Sequence, residues 1–311
     1  MHSDPPQPRF IVVPAGPATH RALAEAVRDA KGSDPLDPVT VVVPNNFVGI
    51  AARRELAASP TPPAPAETQA GRVYPSGIAG VDFVTPFRVA ELFGSASLSS
   101  RGLRPVSTPV VAAAVRQVLR VQPGYFERVR DHPTTERRLV NSHRELSELA
   151  EAELTTLADV GFRAAEVVRV HRAVCASLSD RWYTEQDLVR SAVATIEAQP
   201  ELTNSLGSLV VFLPDTLAPS QATMLRALAA VVAITVIVGT TGNEEADSSL
   251  LTMVSQLSSN EAATTALASI EAATVGLPTG IESLSVSDAD DEIRHVVRGL
   301  SAAAQAGVPY D

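Results

Sequence analysis

The chain has very little cysteine, lysine and aromatic side chain, and each shortage excludes a class of protein. One cysteine, Cys175, among 311 residues excludes an internal disulfide and a cysteine-ligated iron–sulfur cluster within this chain. Lys31 is the only lysine, so chemistry that needs an ammonium group must use it or lie outside this chain. Aromatic residues make up 4% of the sequence and hydrophobic residues 45%, which predicts a core built mainly from Ala, Val and Leu.

Long apolar runs are also missing. No stretch of about eighteen apolar residues occurs, and residues 1–8 are polar and proline-rich, so neither a transmembrane helix nor a signal peptide is predicted. We therefore expect a cytoplasmic protein that makes no contact with a membrane. The formal net charge of −10 argues against a free-standing nucleic-acid binder, which carries a basic face, but it leaves room for local phosphate contacts inside a larger assembly.

A phosphate-binding loop is absent where a parallel α/β protein would carry one. The first apolar run, residues 10–13, leads into PAGPATHR, which has one glycine, no Gly-Lys-Ser/Thr and two prolines that remove N–H donors. We therefore predict that the chain cannot hydrolyse a nucleotide by itself. Gly16, His20 and Arg21 are the candidate remnants of a nucleotide loop, and the two side chains could contact an anion at the helix N-terminus. An ordinary β–α turn is the alternative.

Metal-binding carboxylates are not arranged as a nucleotide or nuclease site requires. Asp215 follows Pro214 beyond the apolar run 209–213, where an Asp-Glu pair would be expected, and we interpret it as a loop cap. Asp29 and Lys31 have the spacing of a restriction-type nuclease motif, but no partner carboxylate lies on a preceding strand.

Histidine and cysteine give one further candidate for a metal site. His171 and Cys175 lie four residues apart on a predicted helix, as metal ligands can. Without a second pair nearby in the sequence, a half-buried helix face is the favoured interpretation, and His143 is interpreted as structural. We therefore predict no catalytic residue, no metal and no cofactor in this chain.

Short apolar runs alternate with helical patterns in the first and last parts of the chain. Continuous apolar runs are typical of strands that are buried on both faces of a parallel sheet. The sequence therefore predicts an α/β fold with a parallel sheet. The predicted strands cover residues 10–13, 39–43, 81–84, 209–213, 234–238 and 281–286.

Residues 105–199 show a different pattern, with apolar side chains at helical spacings of three and four. Helices are predicted over residues 108–121, 134–150, 153–159, 164–178 and 184–198, and Thr184 with Asp187 predicts a capping box at the start of the last one. We therefore expect an all-helical subdomain, residues 105–199, inserted into an α/β domain formed by residues 1–104 and 200–311.

Two predicted loops have the side chains of a nucleic-acid contact. Asn45 and Asn46 stand at a strand end and helix start, where free N–H groups can bind phosphate. Thr85, Phe87 and Arg88 follow the third strand and add an aromatic ring that could stack on a base and a cation for phosphate. Helix capping and core packing are the alternatives for these residues.

The order of these motifs resembles a known family. The segments VVVPNN, VDFVTPFRVAELF, ERRLVNSHRELSELA, RWYTEQDLVRSA, LVVFLPDTLAPSQATMLRALA and DADDEIRHVVRGLSAAAQAGVPYD are similar, in this order, to the N-terminal helicase-like region of the B subunit of AddAB-type helicase–nucleases, relatives of the RecBCD gamma subunit. The similarity spans nearly the whole chain and consists of diffuse motifs, of which TPFRVAELF and LAPSQ are the most suggestive.

The resemblance implies a RecA-like (P-loop NTPase-like) superfamily 1 motor domain with a helical insertion. It also implies that this motor is inactive and that the region acts as a scaffold in double-strand-break repair. It implies that Asn45, Asn46, Thr85, Phe87 and Arg88 face single-stranded DNA. It also implies an AddA/UvrD-like helicase as partner, and a PD-(D/E)XK exonuclease domain that has no counterpart here and would lie past the last residue. The alternatives are a Rossmann-like small-molecule enzyme and a pure protein-interaction module.

Overall fold

The computed structural model describes residues 8–58, 79–214, 216–258, 261–272 and 285–308. Its strands are, in chain order, β1 (Arg9–Pro14), β2 (Val39–Val42), β3 (Val81–Val84), β4 (Arg104–Pro105), β5 (Trp182–Tyr183), β6 (Ser208–Phe212) and β7 (Ile234–Thr240). Five of them form one sheet in the order β1-β7-β6-β2-β3, and every neighbouring pair is parallel. β4 and β5 form a separate pair. The predicted α/β fold with a parallel sheet is confirmed.

Apolar, mostly β-branched side chains build the centre of this sheet. Val41 of β2 lies opposite Phe83 of β3 on one side and opposite Val210 of β6 on the other. Such side chains pack well on a pleated surface, and burial on both faces keeps water from the hydrogen-bond ladder. The five strands predicted up to residue 238 are confirmed, whereas the strand predicted at 281–286 falls mostly outside the described residues, as does Asp215.

The helices follow the strands and agree closely with the sequence pattern. The capping box is confirmed, because the Thr184 N–H donates to Asp187 Oδ2 (2.9 Å) and the Asp187 N–H donates to Thr184 Oγ1 (3.2 Å). The helices are α1 (Pro17–Lys31), α2 (Asn46–Ala58), α3 (Pro86–Ser100), α4 (Thr108–Val121), α5 (Pro133–Leu146), α6 (Glu151–Asp159), α7 (Phe162–Leu178), α8 (Glu185–Ala198), α9 (Pro219–Ala229), α10 (Glu244–Leu257), α11 (Glu261–Ala272) and α12 (Ala289–Gln305).

Helices cover both faces of the sheet, and each face has its own apolar core. On one face α1 and α2 bury Leu23 and Ala52 against strand residues such as Val41 and Phe212. On the other face α3, α8, α9, α10 and α11 pack against the alternate strand residues, such as Val211. Successive side chains of a strand point to opposite faces, which explains why one strand contributes to both cores.

The helices α4 to α7 form a block with its own core. Val115, Leu139 and Val174, one from each of α4, α5 and α7, are buried in one cluster. Leu154 of α6 joins α5 and α7 in a smaller cluster.

Helix α8 packs differently from the sequence-based expectation. The predicted helical subdomain, residues 105–199, includes it, but its buried side chains Leu188 and Ala192 lie in the same cluster as the sheet. Ser191 Oγ donates a hydrogen bond to the Gly94 carbonyl of α3 at 2.9 Å. Apolar spacing shows that a helix has a buried face, but it does not show which core that face meets. The chain therefore returns to the sheet's core at α8, before residue 199.

The chain divides into two compact units, Met1–Thr274 and Val275–Asp311. In the second unit α12 begins after Asp288, whose carboxylate accepts a hydrogen bond from the Asp291 N–H at 2.9 Å. Acidic residues fill its first turn, where the helix dipole favours negative charge. None of the described helices combines the length and the apolar character that crossing a bilayer requires.

Candidate functional site

The carboxyl edge of the sheet brings the predicted site residues to one side of the molecule. Because all five strands are parallel, the loops after β1, β7, β6, β2 and β3 follow one another along this edge. The helix after β2 lies on the same face as the helix after β1, whereas those after β7, β6 and β3 lie on the other face. Neighbouring loops that diverge to opposite faces leave a crevice, and ligands of open α/β sheets bind in such crevices. Crevices are thus expected between β1 and β7 and on both sides of β2.

Protein atoms occupy the β7 side of the crevice between β1 and β7. The Ala15 N–H donates to the Thr240 carbonyl at 2.8 Å, which ties the first turn to β7. A Cβ placed on Gly239 would lie 2.8 Å from Leu213 Cδ2 and 3.1 Å from a Thr19 methyl carbon, so apolar groups already cover this point. A phosphate group has no room beside Gly239.

The remnants of the nucleotide loop have structural roles. Gly16 has a φ of 99°, which glycine adopts without strain, and it precedes α1. Pro17 has no N–H, and the Thr19 N–H donates to the Gly16 carbonyl at 3.0 Å. The His20 ring packs against Phe212, with 5.9 Å between ring centroids, and Arg21 is exposed. These contacts support the interpretation as an ordinary β–α turn.

A buried carboxylate, which the sequence analysis missed, closes the loop after β7. Asp247 is 2% exposed and accepts hydrogen bonds from the N–H of Thr241 (2.9 Å), the Thr241 hydroxyl (2.8 Å) and the N–H of Gly242 (2.9 Å). A charged acceptor shared by three donors holds a loop firmly. The sequence could have indicated this role, because Asp247 lies in the first turn of a helix that follows a Thr-Thr-Gly-Asn loop.

At the β2–β3 end of the edge, the two polar candidates are helix caps. Asn45 Oδ1 accepts hydrogen bonds from the N–H of Phe47 and of Val48, each at 3.0 Å. Thr85 Oγ1 accepts from the Arg88 N–H at 3.4 Å. Capping therefore occupies Asn45 and Thr85, as the alternative interpretation expected, and their side chains position the first turns of α2 and α3.

Those first turns carry two exposed aromatic rings. Phe47 is 84% exposed and Phe87 is 43% exposed. The Val43 N–H donates to the Val84 carbonyl at 2.9 Å, so β2 and β3 remain paired up to the point where their loops begin. Phe47 was not among the predicted site residues. The sequence could have indicated its exposure, because Phe47 follows the capping Asn45 closely and precedes the residue at which α2 meets the core.

A cation stands beside these rings. Arg88 is exposed and pairs with Glu91 on the same helix at 3.0 Å, and Asn46 is exposed as well. A solvated pair of this kind contributes little to stability, so Arg88 can exchange Glu91 for a phosphate at low cost. The structure thus brings the β2 and β3 candidates to one end of the edge and the β1 candidates to the other. Three strand spacings separate β1 from β2, about 14 Å.

Lys31 takes no part in either end of the carboxyl edge. Its Nζ donates to the carbonyl oxygens of Pro35 (2.9 Å), Asp37 (2.7 Å) and Ala79 (2.8 Å). These residues lie at the end of α1 and before β2 and β3, at the amino edge of the sheet. The only lysine of the chain therefore has a structural role far from the loops that could meet a phosphate.

The helical block contains the one group of at least three potential metal-ligating side chains among the described residues. His143 of α5 and His171 and Cys175 of α7 place one ligand atom each within 4.8 Å of the others. Burial, with the neighbouring His171 and Arg144, lowers the pKa of His143 to about 4. Burial also lowers the pKa of His171 and raises the pKa of the Cys175 thiol. Both imidazoles are therefore neutral near neutral pH, the form that binds a metal.

No protein-family model matches the chain, and no curated protein matches it.

Proposed function

We propose that the chain is a helicase-like region without a nucleotide site that binds single-stranded DNA at the β2–β3 end of the carboxyl edge. The observation that carries the proposal is the pair of exposed rings, Phe47 and Phe87, in the first turns after adjacent strands. Exposed apolar side chains mark interaction sites where they form a contiguous patch, whereas singly exposed rings are common. Bases stack on such rings, and stacking tolerates any base because every base has a π face.

The strand order helps to choose between the proposed RecA-like fold, with which the parallel sheet is compatible, and the Rossmann-like alternative. Strand β1 lies at a sheet edge, and β7 and β6 separate it from β2. The dinucleotide-binding order instead places the first strand beside the second in the middle of the sheet. The order therefore weighs against the Rossmann-like enzyme. The helices α4 to α7, inserted between β3 and β6, correspond to the helical insertion that the resemblance implies.

The turn after β1 supports a non-catalytic role. It lacks the Gly-Lys-Ser/Thr of a phosphate-binding loop, and apolar groups from Leu213 and Thr19 occupy the space beside Gly239. The chain's net charge of −10 indicates that its DNA affinity is small outside an assembly. On the resemblance of the motifs, we propose that it acts in a cytoplasmic double-strand-break repair complex, where an AddA/UvrD-like helicase supplies the motor and this region guides the DNA strand.

Removing the exposed rings tests the DNA site. Phe47→Ala and Phe87→Ala should each weaken binding of a fluorescent oligothymidylate about 5- to 150-fold, since stacking contributes roughly 1–3 kcal/mol per base. Arg88→Gln should instead flatten the dependence of log affinity on log salt concentration by about 0.7, the loss of one phosphate contact on a single strand. Fluorescence anisotropy across a salt series at low ionic strength measures both effects.

Matched substitutions outside the edge serve as controls. Phe162→Ala removes an exposed ring from the start of α7, and Arg120→Gln removes an exposed cation from α4. Both should leave affinity and salt slope unchanged. If Phe47→Ala and Phe87→Ala bind as tightly as Phe162→Ala does, the DNA site is not at this edge.

A second candidate, a protein-interaction module, is favoured by the second unit. Ile293, Val296, Val297 and Leu300 lie on one side of α12, and each is more than half exposed. An apolar stripe at spacings of three and four is typical of a helix face that meets a partner. DNA binding by the assembled complex that does not change with any of the loop substitutions would favour this candidate.

A further inference from the structure

Three side chains that bind metals converge in the helical block, away from the carboxyl edge. The distance from Cys175 Sγ to His171 Nε2 is 3.5 Å, and the rings of His171 and His143 have centroids 4.7 Å apart. The sequence showed only the His171–Cys175 pair on one helix, and the packing of α5 against α7 brings His143 close to this pair as a third potential ligand. Cys175 is exposed to solvent overall, but the contact between its sulfur and His171 is partly buried.

The two histidines are buried without full hydrogen bonding. His143 is 4% exposed and His171 is 5% exposed. In each ring Nδ1 is buried and has no hydrogen-bond partner among the described residues. A buried polar atom without a partner is costly, and most core histidines avoid it. Of these two atoms, Nδ1 of His143 is available to a ligand outside the chain, while His171 faces the Cys175 sulfur through Nε2.

We propose that His143, His171 and Cys175 bind one Zn²⁺ ion with a fourth, open coordination position. Two imidazoles and a thiolate suit Zn²⁺, which takes nitrogen and sulfur ligands in tetrahedral geometry. Zinc–sulfur and zinc–nitrogen bonds of about 2.3 and 2.05 Å at the tetrahedral angle place sulfur and nitrogen about 3.6 Å apart. The observed 3.5 Å between Cys175 Sγ and His171 Nε2 matches this value.

The surroundings leave the fourth position to water. A cavity of about 260 Å³ adjoins the three side chains and is lined also by Asp187. Both oxygens of Asp187 are already engaged, Oδ1 by Arg190 at 2.9 Å and Oδ2 by Thr184. The ion would pin α5 to α7 within the block, and on binding it would displace the proton of the Cys175 thiol to solvent.

Zinc titration of the full chain, after removal of metal with a chelator, tests the proposal. We expect one equivalent of Zn²⁺ to bind and the melting temperature to rise by roughly 5 °C at saturation. Substitution with Co²⁺ should give the absorption of a tetrahedral site together with a thiolate charge-transfer band. Because Cys175 is the only cysteine, iodoacetamide alkylation reports on this residue alone, and Zn²⁺ should protect it.

Two conservative variants and one control make the outcome decisive. Cys175→Ser and His171→Asn should each weaken Zn²⁺ binding at least about 100-fold, while His295→Ala, on the exposed side of α12, should bind as the parent does. The thermal unfolding transition of each variant, measured in the presence of the chelator, shows whether the metal-free variant is folded. The alternative is an S–H···N hydrogen bond between Cys175 and His171. Absence of a bound equivalent, or equal binding by folded Cys175→Ser and His171→Asn, overturns the proposal in favour of that hydrogen bond.

Discussion

Replacing Gly94 by valine is expected to destabilise the protein by roughly 3 kcal/mol or more. A Cβ at this position of α3 would lie 2.4 Å from the Leu188 carbonyl oxygen and 3.0 Å from the Ala192 nitrogen. Both atoms belong to the backbone of α8 and cannot move aside without shifting the helix. Urea denaturation followed by far-UV circular dichroism measures the loss.

Gly49→Ala is a control for adding a Cβ atom at a buried helical glycine. Gly49 is also a buried helical glycine in the same unit, but a Cβ there would meet side chains, with Val43 Cγ2 at 3.2 Å. A side chain can move by a few tenths of an ångström, and alanine gains about 1 kcal/mol of helix propensity over glycine. We expect Gly49→Ala to be nearly neutral. A Gly94→Val protein as stable as the parent would contradict the placement of α8 in the sheet's layer.

Removing the Asp247 carboxylate is the second substitution with a large expected effect. Asp247→Ala should cost roughly 3 kcal/mol, because it leaves the buried N–H of Gly242 and the two donors of Thr241 without their acceptor. Asp247→Asn retains one acceptor oxygen and should lose about half as much. Equilibrium unfolding in urea at neutral pH measures both values.

Glu245→Ala controls for the loss of a negative charge in the first turn of α10. Glu245 is exposed and lies two residues before Asp247, so its removal should change stability by less than about 0.5 kcal/mol. If Glu245→Ala and Asp247→Ala lowered the free energy of unfolding equally, the stabilisation would come from the helix dipole and net charge. The hydrogen bonds of the β7–α10 loop would then not be its source.

Much of the fold could be predicted because its signals are local. β2 is a β-branched run and residues 209–212 of β6 are continuously apolar, patterns that are typical of strands buried on both faces of a sheet. Helix α8 begins where Thr184 and Asp187 cap each other, an interaction between residues three apart. Such signals need no knowledge of what lies across the core.

Other features depend on contacts between distant residues and could not be predicted. The placement of α8 against α3 requires the close approach at Gly94, ninety-seven residues before Ser191. The pairing of His143 with His171 requires α5 and α7 to pack side by side. Strands β4 and β5 are two residues each, too short for a periodic pattern.

The candidate site was predicted in part. Its loops could be found because the carboxyl ends of parallel strands share an edge, but the partners of each side chain could not. Asn45 and Thr85 are helix caps, whereas Phe47 is the most exposed aromatic ring of this edge. Sequence rules expect a phenylalanine to be buried, and its exposure follows only from which side of α2 meets the core.

Stacking and charge attraction would hold single-stranded DNA across the β2–β3 end of the carboxyl edge. The rings of Phe47 and Phe87 would give stacking surfaces, and Arg88 would give a phosphate contact. Such binding would not depend on a nucleotide, because the turn after β1 has no Gly-Lys-Ser/Thr with which to hold one. Binding should therefore be equal with and without magnesium and ATP.

The most direct test is photo-crosslinking of a single-stranded oligonucleotide to the protein, followed by mass spectrometry of the modified peptides. Crosslinks at residues 45–50 and 85–88, in equal yield with and without magnesium and ATP, are the predicted result. Crosslinks confined to the helices α4 to α7, or a yield that depends on ATP, would contradict a nucleotide-independent DNA site at the carboxyl edge.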